Sequence, residues 1–541
     1  MRLGFARPIA SRLPLLLKRT HSNDRIALKN LKDFIHKKDA QAIEAAPIPP
    51  YLEQAFAQDS RPAKRVFIET YGCQMNFSDT EIVIGVLQKS GRYTISKDVE
   101  EADVVLLMTC AIRENAEAKI WSRLDALGGI EKRKRGGLTV GVLGCMAERL
   151  KSELLEKRRN VDLVCGPDAY RDLPRLLEGA FDGVSGINVM LSADETYADI
   201  APVRTDSSKK SAFVSIMRGC NNMCAFCIVP FTRSRPIESI VEEVQRLSDE
   251  GLKEVTLLGQ NVNSYCDLSI MESTPSVAVE MSRGFRTVYK PTIGGKRFVD
   301  LLERVSSIDK NMRIRFTSPH PKDFPDDLLF LMRDRPNICK QIHLPAQSGS
   351  TAVLERMRRG YTREAYIELV EHIREIIPNV SLSSDFIAGF CGETEADHQD
   401  TLGLLETVGY DMAYMFAYSM REKTMAHRRF EDDVPEADKK RRLAEIIAKF
   451  YEIMGSRVEK SVGRHELVLV EGDSKKSNLD LAGRSDGGRN VVFPRQATLD
   501  LMSNTMRFPV VGDYVHLINE LSSCPTEAFG VFRVDRPATR Q

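Results

Sequence analysis

The pattern of apolar residues changes character twice along the chain. From Arg65 onward, short apolar runs alternate with amphipathic stretches. Val66–Thr70, Val104–Thr109 and Thr139–Leu143 read as strands, and Thr80–Ser90 as an amphipathic helix. Strands alternating with helical patterns predict a parallel, doubly wound sheet. A second such series starts near Ala212, with strands predicted at Phe213–Met217, Glu254–Leu258, Met312–Thr317, Lys340–Leu344, Ser381–Ile387 and Met412–Ala417. Helical patterns lie between them. Ile240–Glu250 has Ser239 as its expected cap with Glu242 three residues on, and Thr394 stands in the same relation to Asp397. Six strand–helix units predict a partial (β/α)6 barrel, left partly open, with its chemistry in the loops after the strands. Beyond a basic helix, Lys439–Arg457, the runs shorten and alternate (Glu466–Val470, Asn490–Phe493, Tyr514–Ile518), with Gly483, Gly487, Gly488 and Gly512 at turns. That pattern predicts a small all-β barrel ending near Arg536. The fold class is therefore α/β with an all-β C-terminal domain.

The flanking segments differ in composition. The first acid is Asp24, preceded by Arg2, Arg7, Arg12, Lys18 and Arg19 and an apolar patch at Leu13–Leu17. A basic, acid-free, amphipathic start suits a mitochondrial transit peptide, placed at residues 1–25 and implying the matrix. Residues 26–62, with Pro47, Pro49 and Pro50, read as a linker. The expected domains are then 63–180, 206–445 and 450–536. Residues 266–297, with their Ser, Thr, Gly and Pro, read as an insertion loop without chemistry.

Composition narrows the function classes. In 541 residues, 42% hydrophobic and 28% charged content is ordinary for a globular protein. No apolar run approaches the roughly 18 residues of a spanning helix, so membrane insertion is not expected. Lys+Arg 77 against Asp+Glu 76 leaves a net charge of +1, so any nucleic-acid surface has to be local. The 11 cysteines are too few for a disulfide scaffold and odd in number, which points to reduced thiols or metal ligands.

Two groups of cysteines stand where an α/β protein puts its chemistry. Cys73, Cys110 and Cys145 each lie just beyond a predicted strand of the first sheet, and the carboxyl ends of such strands converge on the site crevice. Cys220, Cys224 and Cys227 follow the first strand of the second series in the spacing C-x3-C-x2-C. Random placement of 11 cysteines gives roughly 0.005 such triplets, so the choice is between kinds of site. Structural zinc wants four ligands, and no fourth Cys or His is nearby; zinc held by three thiolates and a water, or simply buried thiols, remain alternatives. A [4Fe–4S] cluster held by three thiolates leaves one iron open to an amine and a carboxylate, such as the methionine end of S-adenosylmethionine. Phe226 then offers an aromatic edge to the adenine.

These residues resemble the radical-SAM methylthiotransferase family. The fingerprint comprises Thr70-Tyr71-Gly72-Cys73-Gln74-Met75-Asn76, Thr109-Cys110-Ala111-Ile112-Arg113-Glu114-Asn115 and Gly144-Cys145-Met146-Ala147, together with the C-x3-C-x2-C triplet. Further matching blocks include Leu258-Gly259-Gln260-Asn261, Phe316–Pro321, His343–Ser350, Asp385–Phe390 and Phe416–Ser419. The resemblance runs from Arg65 to Arg536. It implies two [4Fe–4S] clusters, one on Cys220, Cys224 and Cys227 and an auxiliary one on Cys73, Cys110 and Cys145. It also implies an S-adenosylmethionine and substrate cavity lined by Phe226, Gln260, Asn261, Ser318, Gln347 and Asp385. His320 and His343 are open to a structural reading.

The implied activity is methylthiolation at carbon 2 of N(6)-dimethylallyladenosine at position 37 of mitochondrial tRNA. It is fed by a reduced donor of flavodoxin or ferredoxin type. The terminal barrel resembles the TRAM RNA-binding module, with Arg457, Lys460, Arg464, Arg484 and Arg489 as its candidate phosphate patch. Two rivals stand beside this reading: an interaction protein that regulates a cyclin-dependent kinase 5 activator, and a methylthiotransferase of another substrate. One departure stands out. The family pattern Thr-Arg-Gly-x-x-x-Arg-Ser-Arg is here the shorter Thr232-Arg233-Ser234-Arg235, without the Gly, which predicts weaker S-adenosylmethionine or RNA contacts and puts the activity at risk.

Overall fold

The computed structural model describes residues 62–537 except 111–113, 132–136, 159, 193–196, 198, 230, 270–281, 288–293, 460–461, 501–502 and 521–530. The expected transit peptide, the expected linker up to residue 61, and Lys460 lie outside the described residues. Ala63 begins a single unit that carries every element below.

The first sheet has six parallel strands in the order β2-β1-β3-β4-β5-β6: β1 (Lys64–Thr70), β2 (Tyr93–Ile95), β3 (Val104–Thr109), β4 (Thr139–Gly144), β5 (Leu163–Cys165) and β6 (Gly186–Asn188). All six residues of β3 are buried, as a central parallel strand covered on both faces demands. One face packs on helix α1 (Gln74–Lys89) and helix α4 (Leu173–Phe181). The other packs on α2 (Glu114–Glu131) and α3 (Cys145–Leu150). Helices on both faces make it doubly wound, as expected.

Helix α1 begins six residues earlier than its periodicity predicts. The cause lies in its first turns, where Asn76, Ser78, Asp79 and Thr80 are buried polar residues and no apolar stripe exists to be read.

The second series gives β7 (Ser211–Ser215), β8 (Glu254–Leu258), β9 (Arg313–Phe316), β10 (Gln341–His343), β11 (Ser381–Ala388) and β12 (Met412–Ala417). They pair in parallel as two three-stranded sheets, β7-β8-β9 and β10-β11-β12. A parallel bridge between Ile314 and Ile338 joins the halves into a six-stranded partial barrel. One large apolar core fills it and its helices, among them α5 (Ile237–Asp249), α6 (Phe298–Ile308), α7 (Asp326–Asp334), α8 (Arg363–Ile376), α9 (Glu395–Val408) and α10 (Glu436–Glu459).

Thr394 caps α9 in a full capping box with Asp397. Ser239 does not cap α5. That helix starts at Ile237 behind extended Pro236, and its first N–H is taken by the Asp267 carboxylate at 2.7 Å, a long-range cap that local sequence cannot reveal. Asp267 belongs to the insertion, so that segment is not inert. Cys266–Asp267 pairs antiparallel with Lys296–Arg297, and Phe285 enters the core against Tyr361, ring centroids 4.9 Å apart.

The C-terminal strands β13 (His465–Asp473), β14 (Asp480–Ser485), β15 (Asn490–Pro494), β16 (Tyr514–Glu520) and β17 (Val531–Pro537) close a barrel in the order β13-β14-β15-β17-β16. It docks on the amino ends of the core strands. Buried Arg313 of β9 donates to the Arg484 carbonyl at 2.7 Å and pairs with Asp486 at 2.7 Å. Arg315 donates to the carbonyls of Ser485 and Asp486. Between them the hairpin tip Gly487–Gly488 abuts Ser381 and Gln341.

Removing Arg313 leaves the Arg484 and Leu467 carbonyls without their donor beside a part-exposed Asp486, a loss of about 1–3 kcal/mol. Arg313→Ala is therefore expected to lower the melting temperature and to let protease release the terminal barrel first, checked by differential scanning calorimetry and limited proteolysis.

Candidate active site

Parallel register brings the first three cysteines together. Thr70 of β1 lies opposite Met108 of β3, and Thr109 lies opposite Gly144 of β4. Cys73, Cys110 and Cys145 each fall within three residues of these points. Glycine precedes two of them because nothing else fits. Gly72 and Gly144 have φ of +108° and +91°, and a Cβ on them would stand 2.5 Å from the Cys110 Cβ and 2.6 Å from the Thr109 carbonyl oxygen. The Cys73 thiol is pushed up by its hydrogen bond to Cys110 and by burial. Burial first, then Asp79 and Cys73, pushes Cys145 up to about 12.

The second three lie on the loop that leaves β7. Backbone bonds from Ala225 N to the Met357 carbonyl and from Ala426 N to the Ala225 carbonyl pin the loop from both sides. Burial pushes Cys220 up to about 12, and burial with Cys224 pushes Cys227 up to about 11. Backbone N–H groups of Asn222 and Val229 point at the sulfurs of Cys220 and Cys227, at 3.4 and 3.5 Å. All six cysteines are free thiols.

This donor chemistry fits iron–sulfur clusters. Each triad offers three sulfur donors outside any disulfide, and backbone N–H groups aimed at Cys220 and Cys227 suit a metal-bound thiolate.

The other expected site residues fall around the same mouth. The Gln260 side-chain oxygen accepts from Gly219 N, tying the β8 exit to the cysteine loop. Asn261 is buried and committed: its Oδ1 accepts from His320 N at 3.1 Å, and its Nδ2 donates to Asp323. Ser318 is exposed and Gln347 buried, and both adopt the left-handed region (φ +56° and +72°), strain of a kind concentrated at ligand sites. Asp385 lies 3.3 Å from His343 Nε2, and its carbonyl accepts from Gln347 N. Phe226 is half-buried against Val353, Met357, Phe390 and Tyr418.

Three features escaped the sequence. Arg359 is fully buried and donates to Cys224 Sγ at 3.3 Å and to the Pro345 carbonyl at 2.7 Å. Lys322 forms a buried pair with Asp323 at 2.6 Å and acts on Cys220. Arg218 pairs with Asp79, and both are buried. Charged residues are expected at the surface, so no periodicity signals these three.

The shortened loop is absorbed without a break: Met217–Arg218 pairs antiparallel with Arg233–Ser234, and Arg235 N bonds the Ile216 carbonyl. The phosphate patch is largely spent on carboxylates. Arg457 and Arg489 both pair with Asp411, and Arg484 pairs with Glu471.

Comparison with known proteins agrees with this architecture. Residues 65–166 match the Uncharacterized protein family UPF0004, and residues 214–405 match the Radical SAM superfamily. The chain is 58% identical over 460 residues to the mitochondrial tRNA methylthiotransferase CDK5RAP1 of Mus musculus, covering 84% of this chain and 78% of that one. It is 55% identical over 507 residues to the protein of the same name from Homo sapiens, covering 90% and 84%. To the tRNA-2-methylthio-N(6)-dimethylallyladenosine synthase of Chloroherpeton thalassium it is 48% identical over 457 residues, covering 84% and 93%.

His320 supplies a pH test. Burial, then Arg359 and Lys322, hold its pKa well below the ordinary value. Above about pH 6.5 the unfolded histidine is neutral too and nothing is lost; below it the unfolded chain takes up a proton that the fold refuses. Stability is expected to fall by about 1.4 kcal/mol per pH unit below about 6.5 from this group. His320→Gln is expected to flatten that acid slope in denaturant titrations at pH 5 to 7.

Proposed function

We propose a function from one premise: the chain belongs to the radical-SAM methylthiotransferase family. The chain inserts a methylthio group at carbon 2 of N(6)-dimethylallyladenosine at position 37 of tRNA, in the mitochondrial matrix. One observation carries this reading: two separate cysteine triads stand at the carboxyl ends of two parallel α/β units that touch each other. A single triad suffices to make a radical; the second is what sulfur insertion requires.

Cys220, Cys224 and Cys227 hold one [4Fe–4S] cluster, and Cys73, Cys110 and Cys145 hold the other. When bound, these groups supply an open iron for S-adenosylmethionine, the electron that makes an adenosyl radical, and the sulfur to be methylated and inserted.

The protein's own residues do the rest. Arg359 places a buried positive charge and an N–H against Cys224, which favours the anionic sulfur. Gln260 holds Gly219 and so the start of the cysteine loop. Asn261, locked between His320 and Asp323, keeps the β8 and β9 exits in register. Ser318, Gln347 and Asp385 offer their polar groups to the bound S-adenosylmethionine, and Phe226 offers an apolar face.

His320 stays neutral through the physiological range, so it takes no proton from the reaction. The target C–H is unactivated and beyond any side-chain base, which is why the fold invests in cysteines rather than in an acid–base pair. The base lies in a single-stranded loop and is splayed from its stack into the mouth. A flavodoxin- or ferredoxin-type protein feeds the electron.

The test is mass spectrometry of nucleosides from isopentenylated tRNA incubated anaerobically with reconstituted, reduced protein and S-adenosylmethionine. The methylthio nucleoside is expected together with 5′-deoxyadenosine, shortened loop notwithstanding; absence of both with the clusters loaded sinks the reading. Cys224→Ala and Cys110→Ala are each expected to lose about half of the bound iron and all of the product, with iron assay and the same spectrometry as the checks.

A further inference from the structure

We propose that Arg218 and Arg233 form a clamp that sets the spacing and orientation of the two cysteine triads. The inference rests on the two-cluster reading above. The two arginines open and close the cysteine loop and face each other across its short antiparallel stem, Arg218 opposite Arg233. Both are buried, at 6% and 8% exposure, yet neither carboxylate partner belongs to the partial barrel. Arg218 grips both oxygens of Asp79 on α1, with the Nη1 contact at 3.2 Å. Arg233 pairs with Asp168, just past β5, and donates to the Ser192 carbonyl at 2.6 Å.

Each end of the loop that bears one triad is thus fastened to the domain that bears the other. The fastening points are close to the chemistry. Cys73 is the residue from which α1 starts, so one stretch of helix joins it to Asp79. Arg218 lies two residues before Cys220. The charges of Asp79 and Arg218 both act on Cys145. Tyr170 donates to Asp79 at 3.0 Å, and the Arg218 guanidinium lies over the Tyr197 ring at 5.2 Å, so the pair itself is held on several sides.

A two-point arginine fork fixes direction as well as distance. Arg218 makes such a fork at one end of the loop, and at the other end the Arg233 Nη1 is shared between Asp168 and the Ser192 carbonyl, which together leave the loop little freedom to rotate. A buried ion pair is a weak source of stability, because desolvation offsets most of the attraction, but a strong source of geometry. Geometry is what this chemistry needs: the radical and the sulfur must reach one base, and small misplacement is costly in rate. The shortened stretch falls at this stem too, where Arg233 runs directly into Ser234.

The experiment uses the full chain with both clusters reconstituted. The variants are D79L/R218M, which replaces the pair with apolar side chains of similar size, and R218K, which keeps the charge but not the fork. Two readouts are taken: the magnetic dipolar coupling between the two reduced clusters by electron paramagnetic resonance, and the ratio of 5′-deoxyadenosine to methylthio nucleoside.

The expected result is wild-type iron content with altered dipolar coupling, and a product ratio raised about tenfold in the double variant and less in R218K. Wild-type coupling and ratio in a folded double variant overturn the clamp and leave the enzyme reading standing. If the double variant does not fold, R218K decides by the same two readouts. If the wild-type chain makes product with only one cluster loaded, the two-cluster reading fails and the clamp falls with it.

Discussion

Parallel strands all end on one side of their sheet, and that constraint governs where this protein can do chemistry. A cysteine placed just past each of several adjacent strands meets the others without any local motif, provided the register holds. Here the register holds through β1, β3 and β4, and Gly72 and Gly144 let the backbone pass where a Cβ would collide. The second triad uses the same rule once, at the exit of β7, and supplies its other two sulfurs by close spacing in one loop.

The charges inside the molecule follow from that arrangement. Bringing two sets of strand ends together buries the polar loops between them, and every buried donor then needs a partner. Between the two units Asp79 and Asp168 take up Arg218 and Arg233. Such pairs contribute little net stability; what they add is discrimination between one packing of the domains and its near neighbours.

The strands and the cysteines were the most legible parts of the sequence, because an apolar run such as Val104–Thr109 and a C-x3-C-x2-C spacing are local signals. Less legible were features decided at a distance. Helix α1 hides its first turns because their inward face is polar, and Asp267 caps α5 from 30 residues away. The insertion looked bland because its Ser, Thr, Gly and Pro mask the role of Phe285, which packs on Tyr361 in the core. Arg359 is indistinguishable in sequence from its exposed-looking neighbour Arg358. The arginines of the terminal barrel read as an open phosphate patch until Asp411 and Glu471, remote in sequence, were seen to pair with three of them.

The seam between β9 and the terminal barrel has a consequence in time. Arg313 reaches its carbonyl acceptor at Arg484 across 171 residues of chain. A ribosome makes the core strands long before it makes that acceptor, so until the terminal barrel docks Arg313 lacks its partners, while Arg315 already has Glu254 and Gln341 within the core. Docking of the last domain supplies Arg313 with its acceptors and adds the Ser485 and Asp486 carbonyls to Arg315. A chain cut short before Ser485 therefore lacks Asp486 and both terminal-barrel acceptors of Arg315, so the last holds between the two domains form only when synthesis is nearly complete.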